Sequence, residues 1–150
     1  MIIDIKRVDK ELPLPRYETP GSVAFDLIVR ETKIIEPGKI ELVPVNVIVC
    51  TPPGYLFMIA PRSSLSRKKN LIMANSIGII DQDFCGPKDE VHAQLWNFTA
   101  APITVERGER IGQGMFVKIE RAEWNEVEDT QQPSRGGFGS TGGYTTTTNS

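Results

Sequence analysis

Apolar residues recur in this chain at every second position or in short unbroken runs, and rarely at the helical period. Val91, Ala93 and Leu95 alternate with His92, Gln94 and Trp96 across 91–98. Ile111, Gln113, Met115, Val117 and Ile119 alternate with smaller or polar residues. Side chains two apart on a strand share a face, so both stretches predict strands. Residues 40–49 predict one long strand. Residues 55–60 are apolar throughout, as in a strand covered on both faces. Pro37-Gly38 and Pro52-Pro53-Gly54 mark turns. Only residues 64–69 predict helix, a single turn that Ser63 or Ser64 can cap.

No repeat is visible, which sets aside propellers and solenoids. Past Glu128 the composition changes: TQQPSRGGFGSTGGYTTTTNS holds almost nothing to bury. The pattern predicts an all-β protein, a barrel or jelly roll over residues 1–128 and a mobile tail over 129–150.

The 150 residues suit one domain with a real core, and the net charge of −2 gives no expectation of a nucleic-acid partner. An anionic ligand must be met by locally placed arginines. The N-terminus lacks the charge order and apolar length of a signal peptide, and no apolar run approaches the ~20 residues of a membrane span. A soluble, cytoplasmic protein without a membrane partner is expected. Cys50 and Cys85 have no CxxC partner and read as free thiols. With His92 as the only histidine, zinc lacks ligands, and His92 itself reads as a strand residue.

Three separated blocks carry chemistry. PRSSLS at 61–66 places Arg62 and serine hydroxyls before a helical turn, which is either a compact anion site or a capped turn with a solvent-facing arginine. In NSIGIIDQDF at 75–84, Asp81 and Asp83 either share one strand face or cap the turn at Cys85-Gly86-Pro87. Ile79 and Ile80 make Asp81 the stronger functional candidate. SRGGFGSTG at 134–142 is not a Walker A loop, and its lone Phe138 among glycines suits a strap that closes over a ligand. Arg107 and Arg110 in RGERIGQG read as surface pairs, and Asp26 in TPGSVAFDL as an ordinary strand aspartate.

Taken in order, TPGSVAFDL, PRSSLS, NSIGIIDQDFCG, RGERIGQG and RGGFGSTG resemble the five motifs of the trimeric dUTP diphosphatases (dUTPases), across residues 19–142. The resemblance implies a distorted jelly-roll or β-barrel of the β-clip type with one short helix. It also implies a homotrimer whose sites lie between subunits, and Mg²⁺-dependent hydrolysis of dUTP to dUMP and pyrophosphate. It implies that Asp81 is the general base orienting water toward the α-phosphorus. Arg62, Ser63 and Ser64 would hold the phosphates with Gln113 nearby, and Asp26 would reach Mg²⁺ only through water, leaving no direct protein ligand. Asn75 and backbone groups of Ile79, Ile80, Val91 and His92 would read uracil, and Phe84 would pack on the sugar. Arg135 would reach the γ-phosphate, Phe138 would cover the base, and Gly139, Ser140 and Thr141 would wrap the phosphates.

Three features depart from the common pattern. Phe84 replaces the usual tyrosine, the stretch from Gly86 to Val91 is longer, and Arg135 lies closer to Phe138. Two rivals share the fold. A dCTP deaminase, or a bifunctional enzyme, requires a glutamate where this chain has Gln94. A non-catalytic nucleotide sensor would have no need of Asp81 with an intact tail.

Overall fold

The structure is a computed structural model that describes residues 1–137. It contains a compact unit, Met1–Glu120, and a second unit, Arg121–Ser150. The compact unit thus ends eight residues before the change in composition at Glu128. Residues 121–128 (RAEWNEVE) form no strand or helix, since their charged side chains offer no apolar face to a sheet. In the described part of the second unit, the only side-chain hydrogen bond runs from Gln131 N–H to Asp129 Oδ1.

The compact unit is built from β1 (Asp4–Arg7), β2 (Phe25–Ile28), β3 (Lys33–Ile35), β4 (Ile40–Pro44), β5 (Val47–Cys50), β6 (Tyr55–Pro61), β7 (Leu71–Met73), β8 (Gly78–Ile80), β9 (His92–Asn97), β10 (Ile103–Val105) and β11 (Arg110–Lys118). One wide helical turn, Leu65–Lys69, joins β6 to β7. All pairings are antiparallel. The four-stranded sheet runs β2-β11-β6-β8, the three-stranded sheet β4-β9-β7, and two ribbons pair β1 with β5 and β3 with β10. Their inner faces enclose one core that includes Leu27, Val43, Phe57, Ile59, Leu71 and Leu95. This is the all-β jelly-roll architecture, closed around a single apolar interior.

The expected long strand at 40–49 breaks in two. Asn46 takes a left-handed backbone (φ 65°) and is held there by its side chain, which accepts from Asp9 N–H and donates to Asp9 O. Asparagine tolerates this conformation better than the valines around it. The bend lets β4 pair with β9 and β5 pair with β1, so one apolar run serves two sheets.

The face of β11 also differs from the simple alternation. A bulge between Arg110 and Gly112 buries Ile111 and Gly112 together. Beyond it the inward positions are Gly114 and Phe116 rather than Gln113, Met115 and Val117. Gly114 is required there, since a Cβ would stand 2.7 Å from the Phe57 ring. The Phe57 and Phe116 rings meet at 5.2 Å, and burying Phe57 contributes about 2–3 kcal/mol. The same bulge turns Gln113 toward the outer face. β9 keeps the expected alternation, with Val91, Ala93 and Leu95 buried and His92, Gln94 and Trp96 exposed.

Cys50 and Cys85 are not free thiols. They form a disulfide with Cα atoms 5.1 Å apart, inside the range a bridge can span. Thirty-five residues separate them in sequence, so no local spacing could reveal the pair.

Candidate active site

Three of the sequence blocks meet at one end of the four-stranded sheet. β11 lies between β2 and β6, and its register sets Gln113 opposite both Asp26 and Ala60. Arg62 follows β6 directly, and its Nε lies 3.1 Å from Asp26 Oδ1. Arg110 Nη1 reaches Asp26 Oδ2 at 3.1 Å and Glu18 Oε1 at 2.9 Å. Arg62 also donates to the Arg110 carbonyl, and Gln113 Nε2 donates to the Pro61 carbonyl at 3.1 Å. The Arg16 hydrogen bond, together with Arg110 and Arg16 charge, holds the Glu18 carboxyl below its ordinary value.

Two guanidiniums thus grip one carboxylate. Both remain partly exposed, and an incoming phosphate chain can compete for them through paired hydrogen bonds. Beside this cluster opens a cavity of about 470 Å³, into which Arg62, Ser63, Ser66 and Ser76 project among Leu71, Ile72 and Met73. Ser64 starts the helical turn but makes no capping bond with its side chain, contrary to the capped-turn expectation. Arg110 forms partly exposed ion pairs, as expected, one of them to Asp26. Its partner Asp26 lies 84 positions away, and only the β2-β11 pairing brings them together. Arg107 is a surface pair as expected, bound to Asp9 and Glu11.

The second group of candidates follows β8. Ile80 packs on the core, Ile79 is exposed, and β8 is an edge strand whose outer backbone edge pairs with no strand among the described residues. Asp81 and Asp83 both lie in the turn after it, not on a strand face. Backbone bonds from Phe84 N–H to Asp81 O and from Cys85 N–H to Asp83 O shape that turn. Among the described residues neither aspartate carboxylate is hydrogen-bonded. Asp89 closes the turn instead, its Oδ2 accepting from Gly86 N–H at 2.6 Å. Phe84 is partly exposed, and the disulfide anchors the next residue to β5.

Asn75 is exposed in the β7-β8 connection. The bond from Ala74 N–H to Gln94 O carries the β7-β9 register one step on and sets Asn75 near the head of β9. Val91 is buried with its backbone engaged. Its N–H donates to Val47 O at 2.9 Å and its carbonyl accepts from Val45 N–H at 3.0 Å. Only the second lone pair of that carbonyl is open to a ligand, so a base-reading N–H at Val91 is ruled out in this chain. His92 beside it is exposed, and its Nδ1 lies 2.8 Å from Glu90 O.

The two groups stand apart within one chain. Ile80 is opposite Phe57, so Asp81 leaves β8 beside Leu56, whereas Arg62 lies past the far end of the same strand. Six residues of extended chain separate those points, roughly 20 Å at ~3.3 Å per residue. That backbone span is longer than a triphosphate chain. Arg135 lies in the second unit without regular structure, while Phe138, Gly139, Ser140 and Thr141 fall outside the described residues.

Residues 10–142 match the family model described as dUTPase. The chain is 40% identical over 149 residues to the deoxyuridine 5'-triphosphate nucleotidohydrolase of Haemophilus influenzae strain PittEE, covering 93% of this chain and 97% of that protein. The chain belongs to the dUTPase family. The enzyme of the same description from Dictyoglomus turgidum is also 40% identical, over 92% of this chain and 96% of that one. Among solved structures, the dUTPase of Streptococcus mutans superposes with a TM-score of 0.73 at 32% identity, covering 80% of this chain and 98% of that one. The dUTPase of Staphylococcus bacteriophage 80alpha, solved with dUPNHPP, shares the fold at 23% identity, with a TM-score of 0.83 over 94% of this chain and 98% of that one. As a dUTPase the chain is a dUTP-hydrolysing enzyme, and the deaminase alternative falls. Gln94 agrees with that outcome, standing on the exposed face of β9 with no carboxylate to offer.

Proposed function

We propose that this dUTPase splits dUTP into dUMP and pyrophosphate in sites assembled between copies of the chain, with Asp81 of one copy facing the arginine cluster of another. The separation of Asp81 from Arg62 along β6 carries this reading, because one ligand can meet both groups only if a second chain supplies one of them. A homotrimer meets that need by symmetry. The outer face of the β4-β9-β7 sheet gives it a surface: Ile40 and Ile72 flank Trp96 in one cross-strand row, all three at least partly exposed.

Asp81 is the general base. Its exposed carboxylate has no hydrogen-bond partner among the described residues, and it takes a proton from a water and aims the oxygen at the α-phosphorus. Alignment and charge neutralisation supply most of the acceleration. Arg62, Ser63 and Ser64 hold the phosphate chain, with Gln113 beside them. Arg110 joins them once phosphate draws the two guanidiniums off Asp26. Asn75, the free edge of β8 at Ile79 and Ile80, and His92 read the base, while Val91 braces His92 from behind. Phe84 packs on the sugar. The tail brings Arg135 to the γ-phosphate, Phe138 over the base, and Gly139, Ser140 and Thr141 around the phosphates.

Among the described residues no three metal-ligating side chains converge. The donor set would suit a magnesium ion carried on the phosphates, which Asp26 would reach only through water. When bound, the ion neutralises phosphate charge. A cytoplasmic location follows from the substrate, and removing dUTP there limits uracil incorporation into DNA.

Pyrophosphate release from dUTP, dCTP and UTP, with and without Mg²⁺, tests the reading. Rapid, Mg²⁺-dependent release from dUTP alone is expected. Equal release from dCTP, or binding of dUTP without turnover, overturns it.

A further inference from the structure

Glu90 is a buried acid that the proposed chemistry does not use. Every polar group it has is nonetheless engaged. Both carboxylate oxygens accept from Arg30 Nε, at 2.8 and 3.0 Å, and Oε1 also accepts from Asn46 N–H at 3.0 Å. Its own N–H donates to Lys88 O, and its carbonyl meets His92 Nδ1 at 2.8 Å. A carbonyl can only accept, so Nδ1 carries the hydrogen and Nε2 is the nitrogen left for a ligand.

These bonds join three places. The exit of the long 86–91 turn is tied to the left-handed bend at Asn46 and to Arg30 after β2. The same bend clasps Val91 through Val45 and Val47. Arg30 in turn donates its backbone N–H to Pro44 O, opposite His92 in the β4-β9 register. The Glu90 hydrogen bond keeps the Arg30 guanidinium above its ordinary value. Folding alone does not need a charge at position 90: a neutral amide of the same shape can still accept from Asn46 N–H. What the charge adds is a stronger hold on the one Arg30 Nε–H that both carboxylate oxygens share, at the point where the chain turns into the exposed segment at His92.

We propose that Glu90 is a positioning residue for base recognition: its buried carboxylate, clamped by Arg30 and Asn46, sets where the head of β9 and the His92 ring meet the pyrimidine of a deoxynucleoside triphosphate. It touches no substrate and acts through Val91 and His92. This inference rests on the proposed assignment of Asn75, β8 and His92 to base reading.

The experiment compares Glu90→Gln, Arg30→Met and Asn75→Ala with the parent enzyme, measuring kcat and KM for dUTP, relative turnover of dCTP and dTTP, and the thermal midpoint. A displaced reading segment raises KM for dUTP by about tenfold, with kcat held within about twofold, and erodes rejection of dCTP and dTTP. Glu90→Gln and Arg30→Met both behaving so supports the inference. If both lower only the thermal midpoint, Glu90 is merely structural and the inference falls. Should Asn75→Ala alter base discrimination while Glu90→Gln leaves it intact, the inference falls and the base-reading assignment stands. If neither alters it, both fall. Glu90→Gln keeps the shape and the Asn46 bond, so a folding failure of Arg30→Met still leaves the question decided by Glu90→Gln.

Discussion

The arginine end of the molecule and the aspartate turn are built in opposite ways. At the arginine end, Asp26, Arg62, Arg110 and Gln113 sit on or beside paired strands and satisfy one another's charges before any ligand arrives. At the turn, Asp81 stands beyond an edge strand with a carboxylate that has no hydrogen-bond partner among the described residues, and the turn is anchored by the Gln82 Nε2 bond to Tyr55 O, the Cys50–Cys85 bridge and Glu90. The difference separates binding from chemistry. A phosphate site can store its cations as ion pairs and release them to a stronger anion. In the proposed function, the general base stays in contact with water, on an edge that a neighbouring copy would complete.

Mixing two inactive variants tests that contrast most severely. Asp81→Asn removes the base and is expected to lower kcat by about 10²–10⁴-fold, with dUTP binding retained. Arg62→Ala alone disables the other half. Co-refolded in equal amounts, the two are expected to regain roughly a quarter of the active sites, because random trimers pair an intact Asp81 with an intact Arg62 at that frequency. No recovery would mean that each site draws both residues from one chain.

Arg110→Ala probes the stored ion pairs. It leaves Asp26 with Arg62 alone, tightening the pair that phosphate must displace. A loss of about tenfold in kcat/KM is expected, consistent with one charged hydrogen bond of about 1.5 kcal/mol. An unchanged kcat/KM would return Arg110 to the ordinary surface pairs.

Cys50→Ser sharpens the picture of the anchored turn. Closing a loop across 35 residues stabilises the chain by about 3–4 kcal/mol in the entropy model. The oxidised parent is therefore expected to melt well above the variant. A thiol reductant should lower the parent to the level of the variant and leave the variant itself unmoved.

The smallest effect lies away from both regions. The Arg107 hydrogen bond, a backbone bond to Glu11 and nearby guanidinium charge hold the Asp9 carboxyl below its ordinary value of 3.8. A depressed carboxylate contributes stability above its unfolded pKa, and that contribution is lost as pH falls through the lower folded value. Asp9→Asn is expected to flatten the acid limb of thermal stability below about pH 4 and to leave catalysis at neutral pH intact. A parallel acid limb in both proteins would show the pair to be idle.

The alternation along 91–98, the turn punctuation and the five ordered motifs were enough to specify an all-β barrel and its family, because period-two burial and glycine-rich turns are local properties of a chain. Gly114 and the parity of Gln113 were not legible there. A single bulge inverts the inward face of β11, and a bulge depends on the partner strands. Cys50–Cys85, Arg110–Asp26 and Glu90–Arg30 escaped for a related reason: their members lie 35, 84 and 60 residues apart, on strands and turns that become neighbours only after the sheets close. Sequence by itself thus determined which residue types were present and the pattern of the strands. The tertiary structure alone decided which charges meet, and that Asp81 and Arg62 lie near opposite ends of β6. Pairing at a distance is fixed by register and closure, which no local window of residues contains.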